Sequence, residues 1–275
     1  MAHRLLAPRT PWRPNFPPVI GQTNYRGMRE HAGYRAAKDG VDNDAALALA
    51  YGLLSDEKVD QIRRFLDGSL PRVVAVHAEE LTGRNKIPMA YGKVLAEALG
   101  LTVEPRIIQA SVANHGGSPS IYHRLVSPAT FDGPVTPGAE YLIVDDTCAA
   151  GGTLANLKGF IEINGGGVVA MSVVALGRDA APYWISLADS TLGRLTYRRR
   201  GLDALWRGEF GCGVETLTEG EAGHLLKAPS VDAIRARLAS ARRDLDVDGD
   251  GPPDERATKE RDDDEAIACE PATHG

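Results

Sequence analysis

LIVDDTCAAGGTLANL, residues 142–157, is the stretch that decides the fold class. An aliphatic run leads into two adjacent aspartates, a turn of small residues with paired glycines, and then a helical pattern. A buried strand followed by a tight turn and a helix is the repeating unit of an α/β protein. The two carboxylates and the turn without large side chains also predict a ligand site at the end of this strand.

The segments on either side continue the alternation of strands and helices. Near-continuous apolar strands that alternate with helices predict an α/β fold with a mostly parallel central sheet and helices on both faces. The further strands are expected in three apolar runs, RVVAVHAEE (72–80), EPRIIQA (104–110) and VVAMSVVAL (168–176).

Local signals predict where the helices begin and end. Asp44 and Ser55 are expected to cap two helices near the N-terminus, and Pro88 to begin a helix that Gly100 ends. Three later signals are the helix stop Asn164-Gly165, the capping box from Thr218 to Glu221, and the cap Ser230.

Composition divides the chain into five expected parts. The first contains five prolines and is expected to be an extended arm rather than a packed element. The last is acidic, poor in apolar residues and expected to be disordered. In chain order the parts are the arm (1–20), a helical N-terminal hood region (21–70), the core with the sheet (71–180), a helical C-terminal flank (181–243) and the acidic tail (244–275).

Charge favours an anionic small molecule as a ligand. The formal net charge is −6, but residues 244–275 carry 12 acids and 3 bases, so the remaining 243 residues have a net charge of +3. A mildly basic body suits an anion. The three cysteines are widely spaced and form no disulfide framework. The sequence also contains no apolar stretch long enough for a signal peptide or a membrane span. These features predict a cytoplasmic protein.

The quoted turn has the chemistry of a phosphate site. Ala149 to Gly152 leave backbone N–H groups uncovered just before a helix N-terminus, where the helix dipole also favours an anion. Asp145 and Asp146 repel an anion and instead need sugar hydroxyls or a cation such as Mg²⁺. A ribose 5-phosphate satisfies both ends of the stretch.

The stretch from Leu142 to Leu154 resembles the phosphoribosyl diphosphate (PRPP) loop of the type I phosphoribosyltransferases. It consists of a strand, Asp-Asp, a four-residue turn, Gly-x-Thr and the start of a helix. The predicted order of elements from Val73 to Leu176 resembles that family as well. The resemblance implies that Asp145 and Asp146 face the ribose hydroxyls and a Mg²⁺ ion, which they hold through water. It further implies a phosphate loop, two cations for the pyrophosphate and a lid from Ser111 to Arg124. The implied residues are Thr147, Cys148, Ala149, Ala150, Gly151, Gly152 and Thr153 for the phosphate, Arg84 and Lys86 for the pyrophosphate, and His115, His123 and Arg124 in the lid.

The resemblance implies an enzyme that moves phosphoribose from PRPP to a nitrogenous base or related amine, with Mg²⁺ and release of pyrophosphate. His115, His123 and Glu79 are candidates for a general base by location alone. The family usually has a Thr or Ser at one of the positions of Ala149 and Ala150, so weaker PRPP binding is an expectation here. Two alternatives stay open, a non-catalytic PRPP or nucleotide sensor and a phosphoribose-handling hydrolase. A homodimer is expected from the same resemblance, and the acceptor is not specified.

Other motifs are poor matches to their functions. His77 to Glu79 begin a zinc deaminase signature, but no Pro-Cys-x-x-Cys follows. Asp244 to Glu255 fit an EF-hand pattern in part, and an acidic tail is the better interpretation. The basic stretch Tyr197 to Gly201 favours a solvated or subunit-facing edge over a nucleic-acid site, so no nucleic-acid partner is expected. Gly92-Lys93 lacks the Ser or Thr of a Walker A motif.

Overall fold

The computed structural model describes residues 7–39, 42–77, 85–110, 120–177 and 179–249. In these residues a five-stranded sheet has the order β1-β7-β6-β2-β3, and every neighbouring pair is parallel. The predicted α/β fold with a mostly parallel central sheet is therefore confirmed. The strands are β1 Ile20–Thr23, β2 Arg72–Ala75, β3 Thr102–Val103, β4 Ile108–Gln109, β5 Phe131–Asp132, β6 Glu140–Cys148 and β7 Gly167–Leu176.

Helices follow most of the strands, and further helices form the segment after β7. None of the described helices combines the length and the apolar composition that crossing a bilayer requires. The helices are α1 Tyr25–Glu30, α2 Tyr34–Lys38, α3 Asn43–Leu53, α4 Asp56–Leu66, α5 Ile87–Leu99, α6 Ile121–Val126, α7 Gly152–Ile163, α8 Asp189–Arg198, α9 Leu202–Phe210, α10 Glu219–Lys227 and α11 Val231–Gly249, with a short 3₁₀ helix at Val214–Thr216.

The sheet is buried on both faces, as near-continuous apolar strands require. Successive residues of β6 alternate between two apolar clusters: Val144 packs with residues of α3, α4 and α5, and Ile143 packs with residues of α7. A third cluster, which includes Leu195, Trp206 and Leu238, joins α6 to the helices of the C-terminal flank. Because β6 lies in the middle of the sheet, the residues that follow it emerge at its centre.

Two predictions for the segment between α5 and β6 are wrong. EPRIIQA is not a strand of the central sheet, because the strand beside β2 is β3, with Val73 opposite Val103. Pro105 lies within EPRIIQA and has no backbone N–H to donate to a neighbouring strand. Only the two-residue strand β4 forms in this segment, and it pairs antiparallel with β5. The predicted irregular stretch from Ser111 to Gly138 contains α6 and β5, and the Ser120 side chain caps α6 by accepting the His123 N–H. Residues 111–119 lie outside the described residues.

Most helix ends are where the sequence predicts them. Ser55 precedes α4, Gly100 ends α5 in the left-handed conformation, and Thr218 and Glu221 form both bonds of the capping box of α10. Asp44 is not the cap of α3, because the Asp42 carboxylate accepts the N–H groups of Asp44 and Ala45 at 2.9 and 3.0 Å. Asn164 and Ser230 stand at the predicted end of α7 and start of α11.

The described part of the N-terminal arm (residues 7–19) is packed, contrary to expectation. Phe16 and Val19 are 1% and 0% exposed, and the Trp12 indole N–H donates to the carbonyl of Leu217 at 2.7 Å. The prolines prevent regular structure there, but the apolar residues between them still gain free energy by burial. The arm leads directly into β1, which adds an edge strand beside β7.

The C-terminal boundary also differs from the prediction. Helix α11 continues to Gly249, so residues 244–249 are helical rather than part of a disordered tail. The first half of the EF-hand-like pattern is therefore not a loop. Residues 250–275, with the rest of the predicted tail, lie outside the described residues.

Candidate functional site

The candidate site lies where the central strand β6 ends and α7 begins. Gly151 is the N-cap residue of α7 and has a φ of +82°, which glycine adopts without strain. A Cβ atom at Gly151 would lie 2.7 Å from Cδ1 of the buried Ile185. Both the backbone conformation and the close packing therefore require glycine at this position.

Asp145 and Asp146 are both buried at the end of β6, with exposed fractions of 8% and 6%. Asp146 Oδ2 accepts hydrogen bonds from Lys38 Nζ at 2.5 Å and from Asn85 Nδ2 at 2.7 Å. Its other oxygen accepts from the Thr147 hydroxyl at 3.1 Å. Asp145 Oδ1 accepts the backbone N–H of Asp146 at 2.7 Å. Asp146 therefore has a cationic partner, and Asp145 has a backbone one.

This difference in partners separates the pKa values of the two carboxyls. Burial and the negative charge of Asp146 raise the pKa of Asp145 well above its usual range. Burial also opposes the ionisation of Asp146, but the charge and hydrogen bond of Lys38 and the amide of Asn85 lower its pKa below the usual range. Burial lowers the pKa of Lys38, and Asp146 more than offsets this, so the pKa is raised. Asp146 and Lys38 thus form an ion pair beside a carboxyl that resists ionisation.

The turn between β6 and α7 retains the features of an anion site. Within the described residues, the backbone N–H groups of Ala150 and Gly151, which lie between β6 and α7, donate no hydrogen bond to another residue. They precede a 12-residue helix, whose dipole adds positive potential at its N-terminus. Ala149 is exposed, and Gly152 and Thr153 are partly exposed. The turn can therefore offer amide and hydroxyl donors to an anion.

The opposite side of the turn is packed against the C-terminal flank and the arm. Thr218 Oγ1 donates to the Ala150 carbonyl at 2.5 Å. The Arg9 guanidinium donates to both oxygens of Glu221, at 2.9 and 3.1 Å, and to the carbonyl of Gly152 at 3.3 Å. Because Glu221 is only 2% exposed, this ion pair is a fixed support for the first turn of α7.

Sequence reasoning missed most of these supporting residues. The capping box pointed to Thr218 and Glu221, but as helix signals and not as supports of the turn. No sequence pattern indicated Lys38, Asn85 or Arg9, because each reaches the site from a segment that is far from it in sequence.

Two further predicted site residues, Lys86 and Cys148, lie at the start of α5 and at the end of β6. Lys86 is half-buried at the start of α5, and its backbone N–H donates to the Ala37 carbonyl at 3.1 Å. The Cys148 carbonyl accepts the Tyr25 hydroxyl at 2.8 Å at the end of β6.

The predicted lid residues that are described lie on α6. His123 Nε2 is 3.1 Å from a carboxylate oxygen of Asp244 on α11, so this histidine contacts the C-terminal flank. Arg124 lies in the exposed part of the same helix. Arg84, His115 and Glu79 lie outside the described residues.

The two aspartates fit only an open type of metal site. In the described ranges no group of three or more His, Cys, Asp or Glu side chains is placed to hold a metal ion. Mg²⁺ usually keeps several waters and binds one or two carboxylates together with substrate phosphates. Asp145 and Asp146 fit that pattern and do not fit a cage made by protein ligands alone.

Comparison with curated proteins finds two similar sequences. Protein TraN of Escherichia coli is 43% identical over 239 residues, which cover 86% of this chain and 52% of TraN. An uncharacterized protein of Haemophilus influenzae is 37% identical over 153 residues, which cover 56% of this chain and 34% of that protein. The chain thus spans about half of the first relative and a third of the second. No family model matches the chain.

Solved structures with some similarity include phosphoribosyltransferases. Adenine phosphoribosyltransferase of Rhodothermus marinus is 20% identical, with a TM-score of 0.30 over 46% of this chain and 69% of that one. The Saccharomyces cerevisiae enzyme is 17% identical, with a TM-score of 0.28 over 50% of this chain and 78% of that one. UMP synthase of Leishmania donovani is 15% identical, with a TM-score of 0.31 over 71% of this chain and 33% of that one. Similarities at this level carry no argument about function.

Proposed function

We propose that the protein binds PRPP at the turn between β6 and α7 and transfers its phosphoribosyl group to a nitrogenous acceptor. One observation carries the proposal: two adjacent aspartates lie near the end of a central strand, and the turn that follows contains the backbone N–H groups of Ala150 and Gly151, which lack protein partners in the described residues. A phosphorylated ribose has the complementary groups, with hydroxyl donors at one end and an anion at the other.

Each end of the ligand has a proposed set of contacts. The amides of Ala150 and Gly151 and the Thr153 hydroxyl donate to the 5-phosphate, and the ribose hydroxyls donate to Asp146 and Asp145. Lys86, together with Arg84 outside the described residues, neutralises the pyrophosphate. A Mg²⁺ ion bound with the pyrophosphate would stabilise negative charge on the leaving group.

The reaction is a displacement at the anomeric carbon of the ribose. The bond from this carbon to the pyrophosphate oxygen breaks, and pyrophosphate leaves with the electron pair. A nitrogen of the acceptor forms the new bond and gives its proton to a base or to water. The contribution of the protein is to hold the two reactants together and to stabilise the charge of the departing group.

A second candidate function is non-catalytic sensing of PRPP or a nucleotide. One observation favours it. Ala149 and Ala150 provide no side-chain hydroxyl for the phosphate, and a hydrogen bond of that kind contributes about 1.5–3 kcal/mol. A sensor would bind the same ligand through the same turn without turnover.

Binding is tested by titration calorimetry of PRPP with Mg²⁺. The double variant Asp145→Asn, Asp146→Asn is expected to lose binding, and Asp60→Asn, which changes an exposed carboxylate on α4, is expected to bind as the wild type does. A thermal melt of each variant shows whether the double variant is folded. Equal binding by the wild type and a folded double variant would contradict the proposal.

Catalysis is tested separately, by pyrophosphate release from PRPP with a panel of purines, pyrimidines and simple amines. Release that depends on an added acceptor supports transfer and excludes a pure sensor. Binding without release across the panel supports the sensor, and release without any acceptor indicates a hydrolase.

A further inference from the structure

We infer that Lys38 of α2 is a ligand-binding residue of this site, which pairs with Asp146 and donates hydrogen bonds to an anionic group of the ligand. The inference rests on the proposed function, because it assigns Lys38 to the same PRPP site. Neither the motif nor its spacing indicated this residue, which lies more than 100 positions before Asp146 in the sequence.

The first support is the contact itself. Lys38 Nζ lies 2.5 Å from Asp146 Oδ2, and Asn85 donates to the same oxygen at 2.7 Å. Among the described residues, Oδ2 therefore already has two donors, whereas Oδ1 receives only the Thr147 hydroxyl. Since a carboxylate oxygen usually accepts two hydrogen bonds, Oδ1 is the atom that can still accept one from a ribose hydroxyl.

The second support is the unused hydrogen-bonding capacity of the ammonium. A lysine ammonium has three N–H donors, and within the described residues Lys38 Nζ bonds to Asp146 alone. Its side chain is 33% exposed, whereas Asp146 is 8% exposed by the same measure, so the ammonium is the more accessible partner. Two N–H groups remain for oxygens of a ligand that lies on the carboxylates.

The third support is the anchoring of α2. Ala37, the neighbour of Lys38, is fully buried, and its carbonyl accepts the backbone N–H of Lys86 at 3.1 Å. Lys86 is the N-cap residue of α5 and is itself a proposed pyrophosphate cation. Lys38 is thus presented by a packed helix that is bonded to the loop on the pyrophosphate side of the site.

The same contact makes Lys38 a competitor of a metal ion at Asp146. A divalent cation bound directly to Oδ2 has to displace the ammonium or lie beside it, and like charges repel strongly at a buried site. A metal that reaches the site with the ligand pyrophosphate avoids this conflict. The wild-type protein is therefore expected to bind Mn²⁺, used as a probe in place of Mg²⁺, only weakly at Asp146 without PRPP.

Lys38→Met and Lys38→Arg test the inference, with Lys93→Met as a matched control on the exposed side of α5. Calorimetry with PRPP and Mg²⁺ is expected to show at least a tenfold loss of affinity in Lys38→Met, a smaller loss in Lys38→Arg, and no change in the control. Thermal melts show whether each variant is folded. Equal PRPP affinity of Lys38→Met and the wild type would overturn the inference.

Mn²⁺ binding without PRPP, followed by the electron paramagnetic resonance signal of the free ion at pH 8, gives an independent readout. Lys38→Met is expected to bind at least one more Mn²⁺ ion than the wild type, and Asp146→Asn in the Lys38→Met background is expected to remove that gain. Identical Mn²⁺ binding by the wild type and Lys38→Met would also overturn the inference. If the wild type does not bind PRPP, the proposed function fails, and the Mn²⁺ experiment still decides whether Lys38 occupies Asp146.

Discussion

Substituting Gly151 by alanine tests the geometry of the turn directly. Gly151 has a φ of +82°, and the new Cβ would lie 2.7 and 2.9 Å from Cδ1 and Cγ1 of Ile185, which is fully buried. Contacts this short are not tolerated, so either the side chain or the turn has to move. Gly151→Ala therefore combines an unfavourable backbone conformation with overpacking.

The expected cost follows from these two terms. The left-handed conformation costs an alanine roughly 1–2 kcal/mol, and overpacking of a core costs about 1–3 kcal/mol. The free energy of unfolding should fall by about 2–5 kcal/mol. Gly100→Ala is a matched control, because Gly100 has a φ of +69° and no atom within 4 Å of its added Cβ. The control should show the backbone term alone, about 1–2 kcal/mol.

Urea denaturation of the wild type and both variants measures the difference. Gly151→Ala should be less stable than Gly100→Ala by about 1–3 kcal/mol. Combining Gly151→Ala with Ile185→Ala should cost less than the sum of the single changes, because the second change removes the clash. A Gly151→Ala variant as stable as Gly100→Ala would refute the close packing of the turn against Ile185.

Three further predictions concern the surroundings of the turn. Asp145→Asn should raise the free energy of unfolding at pH 7 by on the order of 1 kcal/mol or more, because burial and the neighbouring carboxylate raise the pKa of Asp145 and its ionisation opposes folding. The gain should vanish below about pH 4, where the carboxyl is neutral in both states, and a gain independent of pH would contradict the reasoning. Arg9→Met should lower the free energy of unfolding by about 3–5 kcal/mol in urea denaturation, because it leaves the buried Glu221 without its cationic partner, and adding Glu221→Gln should recover part of the loss. Gly159→Ala should release the N-terminal arm and speed its cleavage by protease, because the new Cβ would lie 2.0 Å from a backbone carbonyl of the arm. The helical control Gly193→Ala, with open space around its Cβ, should raise stability by about 0.5–1 kcal/mol and leave the cleavage rate unchanged.

The sequence alone determined the parallel sheet and the strand, turn and helix around Asp145 and Gly151. These features depend on local patterns: an apolar run predicts a buried strand, and a glycine in a tight turn marks a conformation that other residues avoid. The same local character explains why the predicted ends of α4, α5 and α7 agree with the structure.

Only the tertiary structure decided which residues surround the turn. Lys38, Asn85 and Arg9 reach it from distant segments, and their contacts depend on how helices and the arm pack, which no local pattern encodes. Packing also overruled local signals: five prolines suggested a free arm, but its apolar residues are buried. β3, a strand of two residues, is too short to have a periodic pattern and forms only because β2 offers it an edge. Local secondary-structure propensity contributes little free energy compared with burial and long-range strand pairing. These contacts therefore depend on the tertiary structure and not on local sequence.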